Sequence, residues 1–156
     1  MTAKNIYLLL SRDASTDSSD SMNSIIKIID RFSFTFEGEG KVQPNNQKML
    51  APINYMIVSS WYFNEAVEKD TKLKFKFQIV QPSGQNPDME EQTINVGRTA
   101  KRVSVNVNVS GLPVSTSGEY QLKAILFNDK DEQIGKANYT FDVDLEWKEK
   151  EAEIKV

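Results

Sequence analysis

The feature that most constrains this chain is a strict alternation of apolar and polar residues, repeated in three separate stretches. Between positions 72 and 80, Leu73, Phe75, Phe77 and Ile79 alternate with Lys72, Lys74, Lys76 and Gln78. Val103, Val105, Val107 and Val109 alternate with Arg102, Ser104, Asn106 and Asn108. Tyr139, Phe141, Val143 and Leu145 do the same against Asn138, Thr140, Asp142 and Asp144. Successive side chains of a strand point to opposite faces, so each stretch reads as a strand with one face buried and the other in water. Half-wet strands of this kind belong to antiparallel sheets packed on one another.

Two further stretches begin in this way and turn apolar on both faces. Tyr120, Leu122, Ala124 and Leu126 are joined by Ile125 and Phe127, and the run at 54–63 carries Met56, Ile57, Val58, Trp61, Tyr62 and Phe63. These read as strands buried on both sides or covered at one end. An apolar strand at 6–10 precedes a Ser/Asp/Thr loop at 12–20. Met22, Ile25, Ile26 and Ile29 stand at helical spacing, but β-branched residues lose rotamer freedom in a helix, so the stretch is predicted as a strand. It is expected to continue through a bulge into Phe32, Phe34 and Phe36. The segments 38–52 and 81–92 read as polar connections. With 156 residues the chain suffices for one core. The expected division is a β-sandwich over 1–145 and a charged tail over 146–156.

The stretch 107–122 reads Val-Asn-Val-Ser-Gly-Leu-Pro-Val-Ser-Thr-Ser-Gly-Glu-Tyr-Gln-Leu. It resembles the E-to-F segment of immunoglobulin domains, in which an alternating strand and a short corner lead into Gly-x-Tyr-x-Cys. The resemblance implies an immunoglobulin-like antiparallel β-sandwich of about seven to eight strands, all-β in class. It also implies that Tyr120 is a corner tyrosine whose hydroxyl bonds to backbone a few residues upstream. Leu122 stands at the position of the family's disulfide cysteine, and the chain has no Cys, so packing alone must hold the core. Up to about Leu145 the chain also resembles small bacterial β-sandwich proteins of uncharacterised function. The features that match are an apolar first strand ending near Asp13, Ser-Ile-Ile-Lys-Ile-Ile-Asp at 24–30, Pro52 leading into the third strand, and Gly118-Glu119-Tyr120. That resemblance implies a fold and supplies no activity.

Composition removes several chemistries. Cys and His are both absent, which excludes disulfides, Cys- or His-based zinc sites, thiol nucleophiles, histidine triads and a histidine pH switch. The lack of Cys fits a reducing compartment, and the apolar run at 6–10 is too short for a leader core or a membrane span. A cytoplasmic protein without a membrane partner is therefore expected. Net charge is −3, and the basic clusters Lys72, Lys74, Lys76 and 98–102 are diluted by acidic neighbours, so no nucleic-acid partner is expected.

Four motifs invite chemistry. Ser24 and Lys27 have the Ser-x-x-Lys spacing of serine acyltransferases, which works on a helix where both side chains share a face; a strand defeats it. Asn128, Asp129, Asp131 and Glu132 offer clustered oxygens for calcium, but Ile134 and Thr140 occupy the glycine and glutamate positions of an EF-hand. A calcium-dependent sandwich would need a second loop from Asp13, Asp17 and Asp20, and a hairpin turn is the simpler reading. Trp61, Tyr62 and Trp147 would suit a sugar-stacking platform or a protein hot spot, with Trp61 read as core. The sequons at Asn108 and Asn138 fall inside predicted strands and are disregarded.

In the tail, Glu146 and Lys150, and again Glu151 and Lys155, stand at i,i+4 spacing, which fits a short exposed helix held to the sandwich or to a second copy by Trp147 and Ile154. The reading that results has no catalytic residue, no cofactor and no metal. It is a non-enzymatic binding or scaffold module acting through protein contacts, including contacts with itself. The alternatives are a carbohydrate-binding or carboxylate-based hydrolase domain, and a structural subunit that self-associates through an edge strand.

Overall fold

A computed structural model describes residues 1–16, 23–38, 49–84 and 87–150. Nine strands make up its regular structure: β1 (Ala3–Thr16), β2 (Asn23–Ile28), β3 (Arg31–Gly38), β4 (Met49–Phe63), β5 (Thr71–Val80), β6 (Glu90–Val96), β7 (Arg102–Val114), β8 (Gly118–Phe127) and β9 (Gln133–Glu149). They form a four-stranded sheet in the order β2-β1-β4-β7 and a five-stranded sheet in the order β3-β9-β8-β5-β6. The neighbours β1-β4-β7 and β9-β8-β5 reproduce the A-B-E and G-F-C orders of an immunoglobulin-like sandwich.

Alternation dictates which side chains meet between the sheets. Leu73, Phe75, Phe77 and Ile79 of β5 are buried, as are Val103, Val105 and Val107 of β7 and all four of Tyr120, Leu122, Ala124 and Leu126 in β8. Trp61 is fully buried between the sheets; its indole N–H donates to Ser59 Oγ at 3.0 Å and its ring meets Phe75 edge-on at 6.5 Å. Large aromatics bury well only when their polar atom finds a partner, and Ser59 supplies it. Gly135 lets β9 pass close by, since a Cβ there would lie 2.8 Å from the Ala3 carbonyl oxygen and 2.9 Å from the Trp61 ring.

The two strands read as apolar on both faces have different causes. In β4, Met56 and Val58 are buried although they lie outside the core cluster, on the face of the sheet that points away from it. In β8, Lys76 from β5 lays its ammonium over the Phe127 ring at 4.9 Å, so a cation shields an otherwise wet aromatic.

Five expectations need correction. The stretch read as one bulged strand through Ile25 and Phe32 is two strands in different sheets. The chain crosses at Ile29 and Asp30, where Ile29 N–H donates to Leu10 in the first sheet and the Asp30 carbonyl accepts from Asp142 N–H in the second. One residue later, β3 runs parallel to β9, so the sandwich is not wholly antiparallel. β6 begins at Glu90, inside the segment expected to be a loop, because pairing with β5 overrides its polar composition. That split and β6 bring the strands to nine. β1 extends to Thr16, past the expected loop start, because β2 pairs with it. β9 runs to Glu149, so 146–149 are strand rather than helical tail; β3 continues beside them, with Phe36 opposite Trp147 and Gly38 opposite Glu149. Ile154, Asp17 and Asp20 lie outside the described residues.

Candidate functional site

The two side edges of the sandwich differ. On one side β7 and β6 end their sheets; on the other, β2 and β3 do, and the crossing at Ile29 and Asp30 joins them. Between β2 and β3 the sandwich opens into a cleft of about 710 Å³ whose floor includes Phe32, Phe34 and Ile53. Phe32 is buried and stacks on Phe34 at 5.8 Å with an interplanar angle of 13°. Phe34 is only half-buried and leads on to Phe36 at 6.3 Å, so the aromatic row continues out of the core toward solvent.

Three cations line the same cleft: Arg12 from β1, Lys27 from β2 and Arg31 from β3. The register pairs Ser11 with Ile28 and Asp13 with Ile26, which sets Arg12 and Lys27 opposite each other on adjacent strands. Like charges directly opposite on a sheet repel. Lys27 also adopts φ 54°, a left-handed conformation that costs a non-glycine residue roughly 1–2 kcal/mol. Arg31 is partly neutralised by Asp142 at 3.6 Å and Asp144 at 3.4 Å. Arg12 and Lys27 have no salt bridge among the described residues. Asp13, the acid next to Arg12, accepts a hydrogen bond from the Ala14 N–H at 2.8 Å. At the cleft's inner corner the Tyr139 hydroxyl donates to the Ile29 carbonyl at 2.8 Å, and its pKa is raised, first by burial and then by the Asp30 charge.

The residues singled out in the sequence do not assemble into a site. Ser24 and Lys27 belong to strand β2, where no helical face exists. Asn128, Asp131 and Glu132 form the β8–β9 turn: Asn128 Oδ1 accepts from the Lys130 and Glu132 N–H groups at 3.0 and 2.9 Å, and Asp131 takes φ 61°. Asp131 is bound to Lys74 at 2.6 Å; that hydrogen bond and then the charge of Lys74 hold its carboxyl below the usual range. This turn lies beside Ala3, since Gly135 abuts the Ala3 carbonyl, whereas Asp13 is roughly 30 Å further along the same strand. Asp13 therefore does not converge with that turn.

The aromatic platform is corrected in the same way. Trp61 is core; Tyr62 is 43% exposed beside Lys4, and Trp147 lies half-buried against Gly38 at the far end of β3. Asn108 and Asn138 are exposed within β7 and β9. Tyr120 is fully buried; its hydroxyl donates to the Thr116 carbonyl at 2.7 Å and accepts from the Ser115 N–H at 3.1 Å. Sequence reasoning missed the Arg12, Lys27 and Arg31 group, because its members come together only through the β1–β2 register and the change of sheet after Ile28.

A second depression, of about 650 Å³, lies between Lys69, Thr71, Asn95 and Asp129 at the opposite end of the molecule. Its charges are mixed, and Asp70 there is committed to the Arg98 N–H at 2.8 Å. The β2–β3 cleft is the better-defined candidate: its size falls in the usual range of ligand sites, roughly 300–1,000 Å³, and it joins apolar surface to charge of one sign.

No protein-family model matches the chain, and no curated protein is significantly similar to it. Among solved structures it is similar to an immunoglobulin-like protein from Pseudomonas aeruginosa, at 17% identity over 92% of this chain and 97% of that one, with a TM-score of 0.38. It is also similar to part of a β-glucuronidase from Bacteroides uniformis, at 14% identity over 62% of this chain, with a TM-score of 0.46. A third match is the alkylpurine DNA glycosylase AlkC from Pseudomonas fluorescens, at 9% identity over 91% of this chain, with a TM-score of 0.48. The chain spans 12% of the glucuronidase and 30% of the glycosylase.

Proposed function

We propose that this chain is a non-enzymatic binding module that holds a protein partner at its open β2–β3 edge. The observation that carries this reading is the cleft itself, in which Arg12 and Lys27, without a salt bridge among the described residues, share the lining with the half-buried Phe34. Interfaces draw their energy from such apolar anchors surrounded by polar groups, and edge strands offer unpaired backbone for an incoming extended segment. β3 is such an edge, and its half-buried Phe34 lines the cleft. The same reading takes Tyr120 as the tyrosine corner of an immunoglobulin-type sandwich, which its bonds to Ser115 and Thr116 support.

Selection of binders from a random peptide library displayed on phage tests this reading. Enriched peptides should lose at least tenfold in affinity for Phe34→Asp, and keep their affinity for Thr93→Asp at the opposite edge. Peptides that bind Phe34→Asp undiminished, or a selection that enriches nothing, would overturn it. A circular-dichroism melt of each variant separates loss of binding from loss of fold.

A further inference from the structure

Resting on that reading, we infer that the cleft recognises an extended acidic segment, one of whose carboxylates lies between Arg12 and Lys27 while a neighbouring apolar side chain packs on Phe34. The sheet places two like charges opposite each other, at a position where a neutral or acidic residue would have relieved the repulsion. Lys27 is moreover held in a backbone conformation that L-residues seldom adopt. A bound anion would relieve the repulsion between the two cations, and strained backbone gathers at sites that bind. Arg31 differs, since Asp142 and Asp144 already occupy it, so it positions the rim rather than supplying the free charge.

Charge complementarity identifies the partner's chemistry. The described residues lining the cleft include three cations and no carboxylate, although the whole chain carries net charge −3. An acid flanked by apolar residues matches both halves of the cleft: the carboxylate meets Arg12 and Lys27, and the alternate side chain of an extended strand reaches the aromatic row. The edge of β3 that has no strand beside it among the described residues then pairs with the segment's main chain, which a small organic anion cannot do.

The test uses a fluorescein-labelled decapeptide alternating Leu with Glu, and a counterpart with Gln at every Glu position, followed by fluorescence anisotropy against the full chain. The Glu peptide should bind at least tenfold more tightly than the Gln peptide, with an affinity that falls as salt rises. The double variant Arg12→Gln with Lys27→Gln should erase that preference while leaving the urea midpoint of the protein unchanged or slightly raised. If both peptides bind wild type equally and Phe34→Asp abolishes both, the cleft binds peptides but the carboxylate assignment is wrong. If the Glu peptide binds and neither the double variant nor Phe34→Asp weakens it, the cleft reading falls with it. Absence of binding by the Glu peptide below millimolar concentration also overturns the inference.

Discussion

The Trp61 region and the β2–β3 edge are built from the same kinds of residue and end in opposite states. Around Trp61, alternating strands from both sheets close on one another: Phe75 meets the indole edge-on, Ser59 satisfies its N–H, and Gly135 removes the side chain that would have collided. At the β2–β3 edge, Phe32 reaches the core, but Phe34 and Phe36 remain half-buried, and Phe34 shares its cleft with Arg12, Lys27 and Arg31. Both regions have aromatic rows. What separates them is whether a facing strand covers the row, and the crossing at Ile29 and Asp30 draws β3 away from β2 just where it would have done so. The first region is closed on itself, and the second is the one we propose to receive a partner.

If that contrast is right, truncating an aromatic should cost far more in one region than in the other. Trp61→Ala should destabilise the domain by about 3–5 kcal/mol, the range for a large side chain removed from a core that cannot collapse. Phe34→Ala should cost about 1–2 kcal/mol, because part of its surface is already in water. Equilibrium urea denaturation of both variants measures the difference, and equal losses would erase the distinction between the regions. Tyr120→Phe sharpens it on the core side. Removing the hydroxyl deletes its bonds to the Ser115 N–H and the Thr116 carbonyl, at a cost of about 1 kcal/mol. An unchanged midpoint would mean that this bond does not pin the turn between β7 and β8.

Legibility followed the same divide. Strands β5, β7, β8 and most of β9 could be read from alternation because each buries one face and wets the other, and the inward residues named from sequence are in the core apart from Val109, Tyr139 and Leu145, which pack partly buried against it. Legibility failed where pairing partners decide. Glu90, Glu91 and Gln92 are poor strand formers, yet they extend beside Phe77, Lys76 and Phe75 because an open edge of β5 is there to be paired. The residues after Leu145 lose alternation by charge, yet remain strand because β3 runs alongside. The change of sheet at Ile29 is two backbone hydrogen bonds and leaves no mark in composition. The candidate site depends on that change: Arg12, Lys27 and Arg31 carry no motif, and only the β1–β2 register and the crossing make neighbours of them.

The central claim, that the β2–β3 edge rather than the β6–β7 edge receives a partner, is tested most directly by mapping amide chemical shifts of isotope-labelled protein during titration with the Leu-Glu peptide. The largest shifts should fall on Arg12, Lys27, Arg31, Ser33, Phe34 and Asn54, while Glu91, Thr93 and Asn106 stay still. Shifts concentrated on β6 and β7, with the amides of the cleft unmoved, would contradict the account.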